Sequence, residues 1–286
     1  MSVQLVVEDG SPNWWESTSI WVVPGSDPNG SPGVPVAGQS AYLWARVRND
    51  GDTDVSAAQV DFWIANPSLQ IRKSTATHIG SAYVDVPAAG SQDVLCLVPW
   101  HVTFLNGGHE CAVVEVSSPA DPLAPTPADP DVLDAPAYRQ IAQRNLSVIN
   151  VMARAGAHRM IGVNAGSRAD KEVEIAVHVG GELSREQLAL LGLEGKRHAG
   201  ERRLTAQLSR GPQSAEPRAR EGKLQLTVPR GTSVPVYVEL SAAEGLGPDE
   251  YAVIHVTEHA HGRVIGGYTT VAVRGDDDGR AAEVKD

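Results

Sequence analysis

“ECAVVEV” at residues 110–116 and “EYAVIHV” at residues 250–256 decide how this chain folds. Ala112, Val114 and Val116 match Ala252, Ile254 and Val256 position for position, while Cys111, Val113 and Glu115 stand against Tyr251, Val253 and His255. Strand side chains alternate between two faces, so a period of two with one small apolar face reads as a β-strand. Its recurrence in both halves predicts two related sandwiches. In the longer stretch “GGHECAVVEV”, His109 lies two positions from Cys111. Zinc needs about four ligands, and a Cys–His nucleophile pair needs a third group to orient the base. This spacing supplies neither, so the stretch reads as an ordinary strand.

Working outward, “SIWVVPG”, “QSAYLWARVRNDG”, “VSAAQVDFWIANP”, “HIGSAYVDV” and “QDVLCLVPW” are further strands of the first half. “RMIGVNAG”, “KEVEIAVHVGG”, “RRLTAQLS”, “KLQLTV”, “SVPVYVELS” and “GGYTTVAVR” are strands of the second. Short strands about ten residues apart, with turn residues and no helix between them, indicate an all-β sandwich architecture rather than a parallel α/β sheet. One helix is expected at about 184–193. There “SREQLALLGLEG” offers Ser184 as N-cap, Gln187 three residues on, and glycine at the exit.

All six tryptophans (14, 15, 21, 44, 63, 100) and both phenylalanines (62, 104) fall in the first 104 residues, so two cores of different make-up are expected. Residues 117–137 carry six prolines and four aspartates and read as an extended connection. Residues 276–286 lack apolar content and are expected to be a disordered acidic tail.

The formal net charge of −11 argues against nucleic acid as a partner, and no apolar run is long enough to insert in a membrane. “MSVQLVVEDG” has neither a basic n-region nor a long apolar h-region, which places the chain in the cytoplasm or on a signal-less export route. Residues 1–118 hold twelve acids against four Lys/Arg, whereas residues 185–230 hold ten Lys/Arg against five Glu. That basic stretch, with Arg202 and Arg203, is either a solvated loop region or a docking surface for an acidic neighbour.

“VRNDGDTDVSAAQVDFWI”, “HIGSAYVDVPAAGSQDVLCLVPW” and “IAQRNLSV” together resemble the bacterial CARDB-type immunoglobulin-like domains over residues 19–150. The shared features are an Asn-x-Gly turn before an apolar-x-aromatic strand, an Ile-Gly followed by Gly-Ser before a strand ending in Trp, and a polar stretch before the last strand. The resemblance implies a sandwich whose last strand lies beyond the Pro-rich segment. The expected organisation is therefore an immunoglobulin-like sandwich at 1–152 with a Pro/Asp-rich loop at 117–137, a second at 153–275, and the tail. Such domains are usually binding or spacer modules and supply no catalytic residues to carry over.

Candidate sites are few. Cys96 and Cys111 are either a disulfide or two separate reduced strand thiols. His255, His259 and His261 share parity and, with Glu258 adjacent, would suit a catalytic zinc. A hairpin turn expected at “HAHGR” breaks that parity, leaving exposed turn histidines. Trp14 and Trp15 in “SPNWWES” cannot both enter one core from an extended segment, so one is a candidate contact for a protein partner or a sugar. The sequence thus predicts a non-enzymatic structural or adaptor protein acting by protein–protein contact or self-association, without cofactor. A carbohydrate-binding module using exposed Trp, and a metal-dependent enzyme using the histidines, are the alternatives.

Overall fold

The computed structural model describes residues 2–66, 68–103, 110–127, 129–151, 158–166, 171–200, 204–211, 222–229, 232–242 and 245–275. Alternation builds the first half. In “SAYLWARVRN” Ala41, Leu43, Ala45 and Val47 turn inward and are fully buried, while Tyr42, Trp44, Arg46 and Arg48 turn outward. In “VSAAQVDFWIA” Ala58, Val60, Phe62 and Ile64 do the same. Each fully buried Leu, Val or Phe contributes about 1.5–3 kcal/mol of transfer free energy, so these two strands alone define a core.

The strands of this half are β1 (Leu5–Val6), β2 (Ile20–Pro24), β3 (Ser40–Asn49), β4 (Val55–Ala65), β5 (Thr77–Val86), β6 (Gly90–Leu95), β7 (Trp100–His101), β8 (Cys111–Ser117) and β9 (Ile141–Arg144). β1 and β2 pair along one side of β3, and β6 and β7 pair along the other. The facing sheet has the order β5-β4-β8-β9.

The second half contains β10 (Leu146–Val151), β11 (His158–Gly166), β12 (Lys171–Val179), α1 (Arg185–Leu190), β13 (Arg197–His198), β14 (Leu204–Ser209), β15 (Lys223–Val228), β16 (Ser233–Ala242), β17 (Glu250–Ala260) and β18 (Arg263–Arg274). Its larger sheet has the order β10-β18-β17-β12-β15, with β13 added to β17, and its smaller sheet the order β11-β16-β14. Pairing is antiparallel except for β10 on β18 and β13 on β17. The chain is all-β, two immunoglobulin-like sandwiches in tandem. α1 is six residues long and is held by the Ser184/Gln187 capping box. No helix among the described residues is long and apolar enough to cross a membrane.

The two matching strands take equivalent places. β8 lies between β4 and β9, and β17 lies between β12 and β18. Both are buried on both faces. Ala112, Val114 and Val116 enter the first core, whereas Cys111 and Val113 enter a core that spans both halves. Ala252, Ile254 and Val256 enter that same shared core from the other side, and Tyr251 and Val253 pack beneath α1.

Residues 141–151, expected as one closing strand of the first sandwich, divide between the two. β9 pairs antiparallel with β8, and β10 pairs parallel with β18 from Leu146↔Thr269 to Val151↔Arg274. The chain changes sandwich at the single residue Asn145, seven residues before the expected boundary at 152. The Pro-rich segment is packed rather than free-standing: Asp121 accepts the Leu5 amide and pairs with Arg139, and Val132, Leu133 and Ala135 are buried. The acidic tail at 276–286 lies outside the described residues.

Because Leu69, Ile71, Val113 and Ile141 share one core with Ile149, Ile175, Val256 and Tyr268, neither sandwich completes its burial alone. Thermal unfolding should therefore be a single cooperative transition. All tryptophans lie in the first half, so tryptophan fluorescence should report the same midpoint as calorimetry. Two resolved calorimetric peaks would contradict the shared core.

Candidate functional site

A fully buried and fully hydrogen-bonded polar residue sits where the sandwiches meet. Asn145 is 0 % exposed, and all four of its polar atoms are engaged. Its amide donates to Trp15 O at 2.7 Å and its carbonyl accepts from Thr269 N at 2.9 Å. Its Nδ2 donates to Ser68 O at 2.8 Å and to Gly267 O at 2.7 Å, and its Oδ1 accepts from Cys111 Sγ.

Around it lies a second network. Trp15, 3 % exposed, donates its Nε1–H to Thr269 Oγ1 at 2.9 Å. Thr269 Oγ1 donates to Glu16 Oε1, and His255 Nδ1 lies 3.0 Å from both oxygens. Gln187 Nε2 donates to Glu16 Oε2 at 3.1 Å, while its Oε1 accepts the Ser184 amide in the helix cap. Burial alone would raise the Glu16 pKa, but hydrogen bonds from His255 and Thr269 and attraction to His255 outweigh it and hold the carboxyl below its ordinary value. Burial pushes Arg144 down to about 10, against the attraction of Glu16 and Asp9. Its Nη1 donates to Ser17 O and Ile20 O.

Two glycines make the approach possible. A Cβ at Gly267 would fall inside the Trp15 ring, and one at Gly266 inside the Leu69 carbonyl. Glycine within a strand often marks such a close backbone approach, and the “GG” of “GGYTT” is the one sequence signal that points to this junction. Glu16, Asn145 and Thr269 carry no spacing that reveals them. Chemically the network fastens. Both oxygens of Glu16 are occupied by donors of the chain itself, so the carboxylate is not directed at a reacting atom.

The structure separates the three candidate histidines. His255 is in the junction. His259 Nε2 is 2.8 Å from Thr257 Oγ1, and His261, at φ 50°, forms the two-residue hairpin turn with Gly262. A register shift between Glu258 and His259 removes the shared parity. Among the described residues no three His, Cys, Asp or Glu side chains are grouped to hold a metal.

Cys96 and Cys111 are both free, one in the first core and the other in the shared core. Burial pushes the Cys111 thiol up to about 12. Arg202, Arg203 and His109 lie outside the described residues.

Trp15 makes its contact with the chain's own second half. Trp14 is half-buried, stands edge-on to Trp15 at 5.5 Å and 87°, and lines a cleft of about 360 Å³ with Glu8, Asp9, Pro136, Tyr138 and Arg139.

A trio on the outer face of β4 and β5 was not foreseen. Asp61 Oδ1 accepts from Ser81 Oγ and lies 3.2 Å from His78 Nε2, with Ser81 Oγ 3.4 Å from the same nitrogen. A nucleophile relay needs the acid on one imidazole nitrogen and the hydroxyl on the other. Here both meet Nε2, on an exposed strand surface, so the arrangement is an ordinary surface hydrogen-bond cluster.

No family model matches the chain, and no curated protein matches it. Among solved structures it is similar to the CupB6 tip adhesin from Pseudomonas aeruginosa at 9% identity and TM-score 0.25, covering 96% of this chain and 99% of that one. It is similar to CfaE, the adhesive subunit of CFA/I fimbria of enterotoxigenic Escherichia coli, at 11% identity and TM-score 0.24, covering 96% and 94%. Native alpha-2-macroglobulin from Escherichia coli, spanning domains NIE-MG1, follows at 11% identity and TM-score 0.21, covering 88% and 95%. Overlays this loose carry no functional argument.

Removing one partner of the Glu16–His255 pair leaves the other buried, so Glu16→Ala should lower stability by about 3 kcal/mol in denaturant titration. Glu16 ionises more readily folded than unfolded, so its contribution is complete above its unfolded pKa of about 4.3. It disappears as pH falls through the lower folded value. The wild type should therefore lose stability over that acidic window more steeply than Glu16→Gln, and equal pH slopes would contradict the pairing.

Proposed function

We propose that the chain is a non-enzymatic structural or adaptor protein that works by protein–protein contact or self-association, its first sandwich being of the CARDB type. The observation carrying this reading is the junction itself. Buried hydrogen-bonding side chains and a close-approach glycine pair are committed to fixing one sandwich against the other rather than to a reacting centre. A fixed orientation suits a part that must present surfaces at set positions, since ordering costs absent on docking strengthen binding. The chain of 30.3 kDa should sediment as a larger species, either alone or after addition of extract from its own cells. A protein that stays monomeric under both conditions would overturn the reading.

A second reading rests on the Trp14 cleft. An aromatic side chain beside Glu8, Asp9 and Arg139 offers stacking and hydrogen-bonding groups for a sugar. If it holds, glycan-array binding should be retained by Trp21→Ala and lost in Trp14→Ala. Retention of the same glycans by Trp14→Ala would rule the cleft out.

A further inference from the structure

We propose that the cavity beside Arg144 binds a small carboxylate, an anion of formate or acetate size, held by the free edge of the guanidinium.

Arg144 ends β9 and is 5% exposed. Its side chain reaches the segment entering β2 in the facing sheet, where Nη1 donates to Ser17 O at 3.3 Å and Ile20 O at 3.2 Å. Among the described residues these are its only hydrogen bonds, and no carboxylate pairs with it. Nε and Nη2 are left over. They form one edge of the guanidinium plane, two parallel N–H groups spaced to meet both oxygens of a carboxylate. Buried charges are as a rule paired, because an uncompensated one is costly to take from water. The Nε of Arg139 is closed in by protein, but neither leftover nitrogen of Arg144 is.

The space that Arg144 lines is a cavity of about 30 Å³. One water takes about 10–15 Å³ on the same scale. A carboxylate with a hydrogen or methyl stub therefore fits, and a sugar or nucleotide does not. The fold makes this space. β2 and β9 end their sheets among the described residues, and Val148 and Leu191 of the second half close the gap between them. With Val22, Ile64 and Ala112 they give an apolar wall suited to a methyl group. The other polar side chains of the lining are committed. Glu110 accepts from the Thr103 amide and hydroxyl, and Ser147 bonds the Tyr268 hydroxyl at 2.6 Å.

Glu16 and Asp9 attract Arg144 from farther away. Glu16 is held by His255, Thr269 and Gln187, and Asp9 by Ser11 and Thr18. Neither hydrogen-bonds to the guanidinium. Their repulsion and the ligand's few atoms limit affinity to about the millimolar range. What selects a carboxylate over a halide is the two-point contact, which a spherical ion cannot make.

Acetate should raise the melting temperature of the full-length protein saturably, by about 2 °C or more. Ionic strength is held constant with gluconate, which is too large for the cavity. Formate should act like acetate, and chloride more weakly. Arg144→Lys keeps the charge without the fork and should weaken acetate binding by about tenfold or more. Arg144→Met should abolish it. Should either variant fail to fold, the wild type still decides. Saturating its methyl protons should transfer magnetisation to the acetate methyl, and excess formate should remove that transfer. Equal melting temperatures in acetate, formate and gluconate, without transfer, would overturn the site. A rise with chloride alone would overturn the carboxylate assignment, and a rise kept in full by Arg144→Lys would overturn the fork.

Discussion

At Asn145 the chain leaves one sandwich and enters the next without a linker, and the rest of the molecule is arranged around that absence. A strand that ends in one sheet and restarts in another leaves backbone groups that neither ladder satisfies. Buried orphans of this kind cost about 1–3 kcal/mol each. Asn145 resolves the problem with its own atoms. Its backbone bonds to Trp15 and Thr269, and its side chain bonds to Ser68, Gly267 and Cys111. Only an amide can both accept from the thiol and donate to two carbonyls. An aspartate would lack the donors and a leucine would lack everything.

Several otherwise odd residue choices follow. The N-terminal segment must come close enough for Trp15 O to meet the Asn145 amide, which lays the Trp15 ring on the β18 backbone and requires glycine at 267. The Trp15 indole then needs an acceptor, and Thr269 supplies it. Burying Glu16 beside this group is less favourable than an apolar contact unless its oxygens are saturated, and His255, Thr269 and Gln187 saturate them. What such a buried pair secures is orientation more than stability. An apolar seam of the same area could slide, whereas this one is fixed by the bonds of Asn145, Trp15, Glu16 and Thr269.

The strands were legible because alternation is a local property. Ala41 to Val47 and Ala58 to Ile64 face the core as their sequence parity requires, and Ser184 with Gln187 located the helix. Partnership was not legible. “IAQRNLSVINV” has the same apolar pattern whether it closes one sheet or serves two, so the division at Asn145 could not be read from it. Cys111 and Val113 enter the shared core, and nothing local in their strand shows that a second sandwich covers them. The register shift at Glu258 separates histidines that share parity on paper. Trp15, read as a candidate contact, found its partner in Gly267 and Thr269 more than 250 residues away.

The same logic distinguishes the two kinds of surface that the first sandwich presents. Where it meets the second, every polar atom of Asn145 is answered, and glycine replaces any side chain that would hold the backbones apart. At β5 the opposite holds. Among the described residues a ten-residue strand ends its sheet there, with Tyr83 exposed on it and Val98 packed against its Gly80. Among the described residues β5 pairs only with β4, and that register slips between Val55 and Ala58 and between Phe62 and Trp63, so this edge is ended by bulges where the junction is closed by side-chain hydrogen bonds.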